Sequence, residues 1–167
     1  LRVTAMTGSI SFQNGFSLWP SATGQLELLA AKSVIADFPG RIGGLFVGQN
    51  ISGTQPIVMI DASPSALSNI YAPLINTNSV NSILNQADDV DGLAFHTAGG
   101  LHTGDTQPVR IIALAGDIVG ESYFGNQTSS VRDTLVVPKA VEIIAGNDIV
   151  NLGFKVQHTN ASDISTV

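Results

Sequence analysis

LRVTAMTGSI at residues 1–10 and VRIIALAGDI at residues 109–118 align without a gap, and their repetition decides the fold. Both copies place apolar residues first, third, fifth and sixth (Leu1, Val3, Ala5, Met6; Val109, Ile111, Ala113, Leu114). Gly8 or Gly116 follows, then Ile10 or Ile118. A second pair, LELLAAKSVI at 26–35 and VEIIAGNDIV at 141–150, corresponds place for place, with a turn about one residue shorter. IVMIDA at 57–62 is read as a fifth member, since Thr54-Gln55-Pro56 precedes it as Thr106-Gln107-Pro108 precedes the fourth. Such self-similarity marks a solenoid, in which a coil cannot bury its apolar face until neighbours stack on it.

Within each copy apolar residues first alternate with polar ones, as expected of a strand with a buried inward face. β-Branched side chains suit that pleated surface. The turns at Gly8, Gly116 and Gly146 are expected to exploit glycine's tolerance of positive φ. Pro56 and Pro108 precede the first strand residue, where a missing N–H does least harm to the ladder.

The first coil reads LRVTAMT, SISF and FSLWP; the second reads LELLAA, SVIADF and GLFVGQN. After IVMIDA, the fourth reads VRIIALA, DIVG and DTLVVP, and the fifth VEIIAG, DIVNLGF and a polar tail. Two or three short strands per coil, recurring about every 25 to 32 residues, predict an all-β parallel β-helix of about five coils across residues 1–167. Residues 63–105 depart from the pattern and predict an insertion between coils three and four. Ser63-Pro64 can open a short helix there, and Asn78 or Ser79 can cap a second with Val80, Ile83, Leu84 and Ala87 on one face. Insertions of this kind map to loops, often on a binding face.

Composition narrows the function. The chain has 167 residues, 44% of them hydrophobic and only 12% charged, where about 25% is usual. A net charge of −6 with seven basic residues argues against nucleic acid, which needs clustered Lys and Arg. Absence of cysteine removes disulfides, thiolate metal sites and a cysteine nucleophile. No run reaches the ~18 apolar residues of a membrane span, so no membrane insertion is expected. The chain starts within an apparent strand, without initiator Met or signal segment, and is read as an excised piece.

The candidate sites each have a plainer alternative. Asp88, Asp89 and Asp91 before Gly92 suggest a calcium loop, but Ala87 and Ala98 occupy its first and closing ligand places, leaving a solvated acidic turn. His96 and His102, with Asp105 nearby and His158 remote, fit no zinc spacing and read as turn histidines. Glu27 and Glu142 occupy equivalent outward places. Three coils apart they would lie about 14 Å from each other, too far for a glycosidase pair. Trp19, Phe16 and Phe12 could stack on a sugar, though core packing is the simpler role. Asn50, Asn126 and Asn160 head glycosylation-type triplets of the kind that chance supplies in an Asn-, Ser- and Thr-rich chain. No catalytic residue, cofactor or metal site is assigned.

PSATGQLELLAAKS at 20–33, HTAGGLHTGDTQPVRIIALAGDI at 96–118 and LVVPKAVEIIAGNDIVNLGF at 135–154 together resemble exoproteins of the filamentous haemagglutinin family. The resemblance implies an interior segment of a long right-handed parallel β-helix. Such a protein would leave a Gram-negative cell by two-partner secretion through an outer-membrane partner and be displayed at the cell surface. It would be an adhesin or the stalk of a contact-dependent inhibition toxin, meeting a receptor or glycan on a host or neighbouring cell. A rigid, non-catalytic spacer and attachment surface is therefore expected. The alternative is a carbohydrate-active β-helix, a tailspike-like hydrolase or lyase.

Overall fold

Alternating apolar residues place one face of each short strand inward, and the computed structural model shows where those faces go. It describes residues 1–12, 16–18, 21–36, 57–59, 101–120 and 133–167. The strands are β1 (Arg2–Ala5), β2 (Ile10–Phe12), β3 (Ser17–Leu18), β4 (Glu27–Ala30), β5 (Val34–Ala36), β6 (Ile57–Met59), β7 (Val109–Ala113), β8 (Ile118–Val119), β9 (Asp133–Val137), β10 (Val141–Ala145), β11 (Ile149–Val150) and β12 (Gly153–Val156). No helix occurs among the described residues, so none there is long and apolar enough to cross a membrane. The two expected helices of the insertion lie outside the described residues.

Every strand pair is parallel, and the strands form three four-stranded sheets ordered β1-β4-β7-β10, β2-β5-β8-β11 and β3-β6-β9-β12. The chain therefore visits the first, second and third sheets in turn, four times over. In the first sheet the register pairs Leu28 with Ile111 and Ile111 with Ile143, and Ala30 with Ala113 and Ala113 with Ala145. Immediately before these, Leu26, Val109 and Val141 are fully buried. Inward side chains of all three sheets meet in one apolar cluster. Fully burying one such aliphatic side chain contributes roughly 1.5–3 kcal/mol, an upper figure because the unfolded chain is partly compact.

Two expectations change. Ile57–Met59 does not open a coil: β6 lies in the third sheet between β3 and β9, with Ile57 beside Leu135. The first sheet has no place for it, because Glu27 pairs directly with Arg110 across adjacent strands β4 and β7. The described residues thus make four passes where about five coils were expected, and GLFVGQN, the expected third strand of the second coil, lies outside them. The polar tail does more than trail away. Thr166 forms a parallel bridge with Glu142, its N–H donating to Val141 O at 2.9 Å and its carbonyl accepting from Ile143 N at 2.9 Å. A fifth pass begins there.

The glycine turns also differ from expectation. Gly8, Gly116 and Gly146 do not adopt positive φ. Glycine is needed at 116 and 146 because the passes approach closely: a Cβ on Gly146 would lie 2.3 Å from Leu114 O, and one on Gly116 would lie 2.3 Å from Ser33 Oγ and 3.0 Å from Lys32 C.

Candidate functional site

Two polar constellations are built by the stacking, one outside the first sheet and one inside a corner. On the outer face the second place of each first-sheet segment reads Arg2, Glu27, Arg110 and Glu142, in direct register along the sheet. Arg2 pairs with Glu27, and Arg110 lies between the two glutamates. Its NH1 is 3.7 Å from Glu27 Oε1, and its Nε is 2.8 Å from Glu142 Oε2. Glu27 and Glu142 do share a face, as expected. They are nevertheless two strand spacings apart, about 10 Å at ~4.8 Å per strand, and not three. Distance alone no longer separates them from a glycosidase pair. The Arg110 guanidinium fills the space between them, where a scissile bond would have to enter.

The inner constellation gathers residues from several passes where the chain returns from the third sheet to the first. Lys139, between β9 and β10, is 1% exposed, and its Nζ donates to Asp105 Oδ2 at 2.5 Å and to Gly24 O at 3.3 Å. His102, also 1% exposed, places Nδ1 3.5 Å from the same Asp105 oxygen. Gly24 keeps room for that ring, since a Cβ there would stand 3.3 Å from His102 Cε1. Burial pushes the Asp105 carboxyl up, but the hydrogen bonds from Lys139 and from Gln107 N–H, with the Lys139 charge, more than reverse this and hold it below 3.8.

The remaining candidates are placed as follows. Leu101–Asp105, the last part of the expected insertion, packs on the stack: Thr159 Oγ1 donates to His102 O at 3.3 Å, and Gly104 N–H donates to Asn160 Oδ1 at 2.9 Å. Asn160, which heads a glycosylation-type triplet, is committed to this packing. His158 shares a 2.7 Å hydrogen bond with Ser165 and stays exposed, apart from His102. Burial pushes the Asp163 carboxyl up, but hydrogen bonds from the Asn160 N–H and side chain and from the Thr159 N–H together lower it overall. Phe12 and Phe16 meet edge to face at 6.2 Å and pack against the core. Trp19, His96, Asp88, Asp89, Asp91, Asn50 and Asn126 lie outside the described residues. Among the described residues no three His, Cys, Asp or Glu side chains converge as a metal site.

Sequence reasoning held part of each constellation, Glu27 with Glu142 and His102 near Asp105, but missed Arg2, Arg110 and Lys139. The Arg-Glu-Arg-Glu alternation is visible once the four first-sheet segments are aligned. Lys139 stands between the apolar runs Leu135-Val136-Val137 and Ala140-Val141, but its partners are 34 and 115 residues away. No family model, curated protein or solved structure matches the chain.

Proposed function

We propose that this chain is an interior segment of a filamentous haemagglutinin-type exoprotein, wound as a right-handed parallel β-helix. It works as a rigid spacer and attachment surface at the exterior of a Gram-negative cell. The single observation that supports this most is the cyclic visiting of three parallel sheets, four times over. A stack of that kind lengthens by one strand spacing per pass without altering its core, and the connections vary independently of it. Export by two-partner secretion and a receptor or glycan on the opposing cell belong to the same proposal. The outward glutamates lend nothing to a polysaccharide-cleaving alternative, since Arg110 stands between them.

The test replaces residues 63–100 with a short Gly-Ser linker, sparing Leu101–Asp105 because they pack on the stack. The expected result is a strand-dominated far-UV circular dichroism spectrum with lost attachment to host cells and to a glycan array. Full attachment by the shortened chain would move the adhesive surface elsewhere. No attachment by the intact chain, or release of sugar from the array, would overturn the proposal.

A further inference from the structure

A lysine inside a stack of aliphatic side chains needs a reason. Lys139 is followed by Ala140 and Val141, both buried, and among the described residues it pairs with one carboxylate, that of Asp105. Leaving an ion pair dry is costly compared with apolar residues of similar volume, so it adds little to stability. A proton can pass from Nζ to Asp105 Oδ2 along their 2.5 Å contact. The result is a neutral amine against a neutral carboxyl, held in place where water would otherwise keep both inert. Fixing two reactants at contact distance replaces a bimolecular encounter with an effectively unimolecular step.

From this geometry we propose that Lys139 and Asp105 condense spontaneously into an intramolecular isopeptide bond, with His102 relaying the proton. The lone pair of neutral Nζ attacks Asp105 Cγ. His102 Nδ1, 3.5 Å from Oδ2, gives a proton to that oxygen, and the ring regains one from the nitrogen. The Cγ–Oδ2 bond then breaks and one water leaves. An ammonium and a carboxylate thus become one amide and one water, with no oxidant and no external group. The remaining amide N–H keeps an acceptor in Gly24 O, which already receives Lys139 Nζ at 3.3 Å. The bond would join the entries of β7 and β10 across a 34-residue separation, clamping successive passes where a pulled spacer would otherwise unwind.

Intact-protein mass spectrometry of the purified chain tests this directly. The expected mass is one water below that of the sequence, and a tryptic digest should yield one branched peptide joining Asp105 to Lys139. Asp105→Ala and Lys139→Arg should both show their full calculated masses. In His102→Gln the cross-link should appear about 100-fold more slowly after refolding from denaturant. A full-mass wild-type chain, or a water lost without the branched peptide, overturns the bond. An unchanged rate in His102→Gln overturns the relay. The wild-type measurement requires no variant to fold.

Discussion

The corner between the first and second sheets and the corner between the second and third obey different rules. The first is spanned by residues 6–9, 31–33, 114–117 and 146–148, never more than four residues. The second is spanned by residues 13–16, 37–56, 120–132 and 151–152, from two residues to twenty. At the first corner the backbone stacks on itself and on a run of side-chain oxygens. Ser33 N–H donates to Ser9 Oγ at 3.2 Å, Asp117 N–H to Ser33 Oγ at 3.2 Å, and Asp148 N–H to Asp117 Oδ1 at 3.1 Å. Each pass therefore supplies the acceptor that the next one needs. A longer turn at any level would break the series, whereas across the second corner strands joined by two to twenty residues still pair in the third sheet, with a register shift between β9 and β12 at Gly153.

Among single substitutions the largest effect should come from adding a single carbon to the tight corner. Gly146→Ala puts a Cβ 2.3 Å from Leu114 O and 2.8 Å from Leu114 C, backbone atoms that cannot swing aside. It should cost about 3 kcal/mol in urea unfolding, at the upper end of overpacking. Gly8→Ala, in the same corner of the first pass, meets nothing within 4 Å and should shift the midpoint little; equal losses would break the distinction between stacked and unstacked turns.

A smaller loss, about 1 kcal/mol, should follow Asp117→Ala. That change removes the acceptor for Asp148 N–H and for Asn147 Nδ2, the latter at 2.6 Å. Asp117→Ser should recover much of the loss, because serine supplies the same oxygen at positions 9 and 33. Failure of serine to rescue would mean that charge, not acceptor geometry, matters at this level. Smallest of all should be the effect of doubling the connection within residues 121–132, about 0.6 kcal/mol from loop closure. The same number of residues added after Ala115 should prevent folding. Tolerance at both places would erase the contrast.

Much of this architecture was legible because a buried column repeats its residue type every pass. Leu28, Ile111 and Ile143 announce themselves by place, and so do Val34 and Ile118 in the second sheet. Ile57 misled because its preceding Thr-Gln-Pro matches the entry to β7. Three residues of local likeness carry less weight than the Glu27–Arg110 pairing that closes the first sheet to another strand. Lys139 is a different case: it stands among buried neighbours, Leu135, Val137, Ala140 and Val141, but its carboxylate partner lies 34 residues away.

Residue spacing alone established a β-rich chain, its inward columns and the tight turns between the first two strands of each pass, since those features arise from interactions repeated along a local period. Which sheet receives Ile57, the alternating charges facing one another along the outer face, and the burial of Lys139 against Asp105 were settled only when distant segments came together. Such pairings depend on three-dimensional adjacency between residues far apart in the chain, and no local pattern encodes them.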